Sequence, residues 1–257
     1  MSSLPCIYCK DPKGPFKGDA HVFPEGLVAN PLVLPAGTVC DPCNSYLGAN
    51  VDSALIAFPY FALAIQVLGL PGKAGRPRRR IANVERDEGG DWVTVPIAAP
   101  KKVAAPDGGT AMNVRPIVDK TFRMPAFSRA LYHVALNVLA LEVGHRFVLR
   151  EHLDGARRYV RSPGKGAFMP FLLTASSLEN IRAVVRGRRA TEAPGETVVL
   201  QIFNYDFYID LLNRGGLVEW AQRTLDTEFH YIDDAWEPPA EADAPGRMYR
   251  IRLELNE

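Results

Sequence analysis

Every one of the four cysteines of this chain belongs to a CxxC pair. Cys6-Ile-Tyr-Cys9 and Cys40-Asp-Pro-Cys43 are separated by 30 residues. Two short knuckles at that separation can aim four thiolates at one tetrahedral Zn²⁺. A shell of four thiolates leaves no open coordination position, so the metal that this spacing predicts holds shape and performs no chemistry. Residues 1–50 are rich in Pro, Gly and Cys, too loop-like to fold without a staple. Structural zinc supplies one, at about 10–16 kcal/mol of apparent binding energy in finger peptides.

The staple encloses a histidine. Ala20-His21-Val22-Phe23-Pro24-Glu25-Gly26-Leu27 lies between the knuckles, and Asn44-Ser45-Tyr46-Leu47-Gly48 follows the last thiol directly. One zinc-tied module therefore brings His21 and Asn44 close together. A neutral imidazole can take a proton from water for in-line attack on phosphorus. A divalent ion beside it would stabilise the leaving oxygen, and an asparagine amide oxygen can bind such an ion.

Composition limits the alternatives. With 47% apolar and 23% charged residues among 257, this is an ordinary globular chain, long enough for one large domain or two modest ones. The longest apolar stretch, Ala54 to Leu70, contains Pro59, Gln66 and Gly69 and falls short of the roughly 20 apolar residues of a membrane span, so no membrane partner is expected. No basic stretch followed by an apolar run opens the chain, which predicts a bacterial-type cytoplasmic location and cysteines that meet a metal instead of forming disulfides. Net charge is only +1, but residues 1–80 carry eight basic against five acidic side chains. The positive excess falls on the segment that would meet a phosphate backbone.

Three regions follow from pattern: a zinc-bound module over 1–68, a basic linker over 69–80, and an α+β domain over 81–257. Asp52 to Leu68 reads as a helix whose regular part starts near Phe58, because Pro59 is tolerated only in a first turn. Residues 81–85 and 92–97 read as a hairpin and 98–115 as a loop. Phe127 to Val143 is the strongest helix, with Leu131, Val134, Ala135, Val138, Leu139 and Leu141 apolar and Gly144 as the stop. A short helix is expected over 152–160. Strands are expected over 169–174, 181–186, 197–203, 207–211 and 248–255, mainly antiparallel, around one buried helix.

The pattern formed by Cys6, Cys9, His21, Val22, Phe23, Pro24, Leu27, Val39, Cys40, Cys43, Asn44, Leu47 and Gly48 resembles the HNH endonucleases of the ββα-metal class, in the branch with a four-cysteine zinc site. Residues 69–77 and 127–131 resemble, less specifically, the extension of bacterial proteins of this kind. The resemblance implies a small zinc-stapled ββα-metal module, metal-dependent hydrolysis of phosphodiester bonds that leaves 5′-phosphate ends, His21 as general base, and Asn44 as a ligand of a catalytic Mg²⁺ or Mn²⁺. DNA is the implied partner and RNA is not excluded. The 81–257 domain would select the target, sense a signal, or bind a protein partner or a second copy.

Two positions depart from the pattern. The metal-binding acid that precedes the first histidine in the family is Ala20 here; Asp19 is one residue off and, on a strand, expected to face away. The middle asparagine, which orients the histidine in many members, has only Asn30 as a candidate. These losses imply an impaired site unless Asp52 or Glu25 compensates, since hard cations prefer anionic oxygens. The competing reading is a catalytically inactive, zinc-stabilised module that binds nucleic acid or protein.

Elsewhere, Arg76, Arg78, Arg79 and Arg80 offer phosphate contacts beside the module or a solvated linker. Arg182, Arg186, Arg188 and Arg189 read as a solvated face. His133 and Asn137 lie four apart on the strong helix and read as its polar edge, with a second site as the alternative. His152 near Asp154 and His230 near Asp233 read as structural or solvated. Tyr205, Phe207, Tyr208 and Trp220 read as core instead of base-stacking platforms.

Overall fold

The computed structural model describes residues 4–28, 31–70, 85–86, 92–104, 110–116, 123–175, 180–234 and 247–254. The cysteine-rich start holds little regular structure. Residues 20–22 and 32–34 form a short antiparallel ribbon: Val22 N–H donates to Leu32 O at 2.7 Å, Leu34 N–H to Ala20 O at 2.8 Å, and His21 pairs with Val33. Helix α1 (Asp41–Asn50) follows, with Cys40 as its N-cap and Pro42 in its first turn, where a missing N–H costs nothing. Helices α2 (Asp52–Ile56) and α3 (Pro59–Val67) come next. Pro59 opens α3, so the expected helix over 52–68 is two helices broken where proline demands it.

Strands β1 (Glu85–Arg86) and β2 (Trp92–Ala104) pair antiparallel, and β3 (Thr110–Pro116) pairs with β2 in turn. Most of 98–115 is therefore hairpin and not the loop expected from its Ala, Pro and Gly content. The β2–β3 register shifts between Ala98 and Lys101, and Pro100 sits in that irregularity, where a strand tolerates a residue without N–H.

Helix α4 (Met124–Glu142) has 19 residues, and Phe127 and Ala130 to Ala140 are all buried. A helix covered on every side is a central one. It ends before Gly144, whose φ of 104° a residue with a Cβ would resist. Helices α5 (His145–Val148) and α6 (Asp154–Arg161) pack against it, joined by a 3-10 turn over Glu151–Leu153. The strands β4 (Phe171–Ala175), β5 (Asn180–Arg182), β6 (Val185–Arg189), β7 (Thr197–Ile202) and β8 (Tyr205–Asp210) precede α7 (Leu217–Thr224), β9 (Phe229–Ile232) and β10 (Arg247–Glu254). One sheet runs β6-β7-β8-β4-β9, antiparallel throughout. The other runs β1-β2-β10-β5 with β3 on β2, and β10–β5 is its one parallel pair. The mixed α+β class with mainly antiparallel strands is as the pattern predicted. The single strand expected over 181–186 is two strands, β5 and β6, in different sheets, and α7 and β9 carried no expectation.

One buried cluster joins the cysteine module to the rest. It runs from Cys6, Ile7 and Phe23 through Leu47, Leu55 and Phe61 to Phe127, Leu131 and Leu136 of α4, and on to Leu200 and Phe207 of the sheet. Phe58 stacks on Phe127 with ring centroids 4.4 Å apart. Gly187 lets β6 approach α4, since a Cβ there would meet Val138 at 2.6 Å. Tyr205 and Phe207 are buried in this core, and Tyr208 and Trp220 in a smaller separate cluster with Leu172 and Leu217, so all four are core as expected. Among the described residues no helix is long and apolar enough to cross a membrane.

Candidate functional site

The four Sγ atoms of Cys6, Cys9, Cys40 and Cys43 lie within 4.8 Å of one another, and none is in a disulfide. Cys9 and Cys40 are 3.7 Å apart. A tetrahedron with Zn–S bonds of about 2.3 Å has edges of about 3.8 Å. The donor set and its size thus suit Zn²⁺. The backbone N–H groups of Tyr8 and Cys40 point at Cys6 Sγ, both at 3.4 Å, as a knuckle requires to support negative sulfur. Lys10 closes the first knuckle in the left-handed region at φ 57°. Gly14 lies against the second, where a Cβ would meet that of Cys40 at 2.8 Å.

In the metal-free cluster the protons are shared unevenly. Cys6 is pulled down to about 4, first by its hydrogen bond with Cys43 and then by backbone amides, against burial. Cys43 is pushed well up, first by the same bond. Burial pushes Cys40 up to about 11. Arg161 of α6 hydrogen-bonds Cys43 and stacks over the Tyr46 ring at 4.1 Å, so cationic charge from outside the module reaches the sulfurs.

Beside the cluster opens a cavity of about 670 Å³. Asp19, His21, Glu25, Asn44, Asp52 and His133 all line it, with Gly48 among the residues between. Asp41 at the start of α1 accepts from the Lys17 and Gly18 N–H groups, both at 2.9 Å, and so fixes the segment that leads to the ribbon. Asn44 donates its Nδ2 to Asp19 O at 2.9 Å. That bond sets the amide's orientation and leaves Oδ1 available to a cation. His21 Nδ1 lies 3.5 Å from Glu25 Oε1.

Strand alternation decides what position 20 can do. Ala20 is 7% exposed and belongs to the core cluster, while its neighbours Asp19 and His21 border the cavity. Asp19 and position 20 thus point different ways, as alternation expects, and Asp19 borders the cavity together with His21.

The oxygen donors of Asp19, Asn44, Glu25 and Asp52 are the hard ligands that Mg²⁺ or Mn²⁺ prefers. They are spread around the cavity: among the described residues only the cysteines bring three or more ligand atoms of His, Cys, Asp or Glu to within 4.8 Å. An ion that keeps most of its waters needs only one or two protein ligands, and the cavity has room for it and a phosphate.

Residues 6–57 match the HNH endonuclease family. The match takes in all four cysteines, His21, Asn44 and Asp52, and stops before α3. No curated protein and no solved structure matches the chain. The match thus covers the cysteine-rich segment through α2 and leaves residues 58–257 outside it.

Helix α4 also contributes to this cavity. His133 and Asn137 are 6% and 2% exposed, so they are not a polar edge in solvent. Nor are they a separate site. His133 borders the same cavity, and its Nδ1 lies 3.0 Å from Asp52 Oδ1. Asn137 Nδ2 donates to His21 O at 3.1 Å. The spacing of four on α4 was visible; the partner 116 positions away was not.

The other candidates separate. Arg76, Arg78, Arg79, Arg80 and Asn30 lie outside the described residues. Arg186, Arg188 and Arg189 bond to Gln201, Glu192 and Glu196, with Arg186 and Arg188 exposed. His152 and His230 are exposed. Asp154 pairs with Lys10 and Arg157.

Proposed function

We propose that the HNH module hydrolyses phosphodiester bonds, with DNA as substrate, a divalent Mg²⁺ or Mn²⁺ as cofactor and zinc as a structural ion on the four cysteines. The observation that carries this reading is the shared cavity of His21, Asn44 and Asp19 beside a closed thiolate cluster. Each residue then has one task. His21, oriented through Nδ1 by Glu25, takes the proton of the attacking water at Nε2. Asn44 Oδ1 and the Asp19 carboxylate would hold the cation, and Asp19 offsets the apolar residue at 20. The ion, when bound, supplies polarisation of the phosphate and stabilisation of the leaving oxygen. The basic excess over 1–80 supports contact with phosphates on either side of the cut. Residues 81–257 would contribute target selection or a protein contact.

One observation favours a second reading, binding without cleavage: position 20, acidic in the family, is a buried alanine. Cleavage separates the two. Zinc-replete protein incubated with supercoiled plasmid, linear duplex or single-stranded RNA and Mg²⁺ or Mn²⁺ is expected to nick DNA. His21→Ala and excess chelator are each expected to stop it. Tight binding of DNA with no product under any of these ions would favour the second reading and refute the first.

A further inference from the structure

His21 sits on a ribbon too short to hold it. Its described backbone pairing is one bridge, to Val33, flanked by two hydrogen bonds. Isolated two-stranded pairs are marginal in water even when longer. Yet a general base must keep its place to within a fraction of an ångström. Something outside the ribbon has to fix it.

One buried amide reaches everything nearby. Tyr8, between the two cysteines of the first knuckle, has its OH 2.5 Å from Asn137 Oδ1. Asn137 Nδ2 lies 3.1 Å from His21 O, 3.4 Å from Val22 O and 3.2 Å from His133 Nε2. His133 Nδ1 lies 3.0 Å from Asp52 Oδ1.

These contacts admit one consistent proton assignment. Tyr8 O–H donates to Asn137 Oδ1. One Asn137 N–H donates to the His21 carbonyl and leans toward that of Val22; the other donates to His133 Nε2. His133 then carries its proton on Nδ1 and donates to Asp52. Turning the amide over would set its oxygen 3.1 Å from the His21 carbonyl oxygen, acceptor against acceptor. The network is fully satisfied in one orientation only, and a satisfied buried network of this kind rigidifies what it touches.

We infer that Asn137 of α4 is the positioning residue for His21, tying the histidine's backbone through Tyr8 to the thiolate knuckle and through His133 to Asp52 on the cavity wall. Asn137 touches neither substrate nor ion; it acts by fixing where the imidazole stands. The inference rests on the reading of His21 as the base, but its geometric content does not depend on activity. Part of the site is then supplied by a helix outside the matched segment, and the HNH module alone would hold His21 loosely.

The test uses the full-length, zinc-replete chain and two variants, Asn137→Ala and Tyr8→Phe. The second removes only the hydroxyl and keeps the ring, so it serves if the first fails to fold. Zinc content and circular dichroism establish that each variant is intact. The His21 ring is then observed by ¹⁵N-labelled NMR, assigned with His21→Gln, and plasmid nicking supplies kcat and KM. Expected are one sharp His21 ring environment in the native chain and a shifted or doubled one in both variants. A kcat lower by about 100-fold in Asn137→Ala with KM unchanged is also expected, as a misplacement of about 1 Å produces. An unchanged His21 ring spectrum in a zinc-loaded, folded variant would overturn the inference. If the native chain does not cut, the hydrolytic reading fails while the ring spectra still decide the role of Asn137.

Discussion

Phe61→Ala probes the claim that the HNH module and the antiparallel sheet share one core. Phe61 is fully buried on α3. Its ring lies 4.8 Å from Phe58, 5.6 Å from Phe203, 5.7 Å from Phe207, 6.1 Å from Phe127 and 6.3 Å from Tyr205. Truncation therefore opens a cavity walled by the module on one side and by α4 and the β7–β8 hairpin on the other. Phe→Ala in a core costs about 3–5 kcal/mol, and edge-on ring pairs place this site at the upper end. That is a large part of the roughly 5–15 kcal/mol of a whole domain. With an m-value of about 3 kcal/mol per molar urea, the midpoint should fall by about 1.5 M. Two probes follow the unfolding: far-UV circular dichroism for the helices and sheet, and thiolate-to-metal absorption of Co²⁺ substituted for zinc. Both are expected to move together. A midpoint shift below about 0.3 M, or a cobalt signal lost in its own separate transition that the variant leaves unmoved, would refute a shared core.

Gly48→Ala should raise stability by roughly 0.5–1 kcal/mol, because a helix-interior glycine wastes chain entropy. The nearest atom to the added methyl is Asp52 Oδ2 at 4.0 Å, so nothing clashes. The methyl would stand in the cavity wall, so thermal melting should rise while nicking slows; a rise in both would contradict the placement of substrate there. Zinc affinity should fall as pH falls. Cys40 (about 11) and Cys43, pushed higher still, carry protons at neutral pH in the metal-free chain. Zinc must displace at least these two, so affinity should rise by at least about 100-fold per pH unit in that range. Chelator competition at pH 6, 7 and 8 measures it, and a flat profile would contradict the proton assignment.

What was legible in the sequence was local. CxxC spacing gave the thiolate cluster because a knuckle is four residues long and closes on itself. Pro59 marked the start of α3, and the apolar run to Gly144 marked α4, since proline and glycine act through backbone geometry alone. What escaped was set by distant partners. Pro100 and its alanine neighbours carry little strand propensity, and pairing along β3 and β10 overrode it. His133 and Asn137 had the look of a helix's polar stripe because their partners, His21 and Asp52, come from a segment far away in the chain. The missing acid at position 20 was legible; that Asp19 borders the cavity was not, because Asp41 and Asn44, from α1, hold its segment there.

The most direct measurement is anomalous scattering at the manganese edge from crystals of the zinc-loaded chain grown with Mn²⁺. The account expects a manganese peak in the His21 cavity, within about 2.2 Å of Asn44 Oδ1 and an Asp19 oxygen. It should be distinct from the zinc peak among the four cysteines and absent in Asp19→Ala. A cavity without manganese while zinc fills the cysteine site, or a peak that ignores Asn44 and Asp19, would contradict the claim that this module holds a cation beside its histidine.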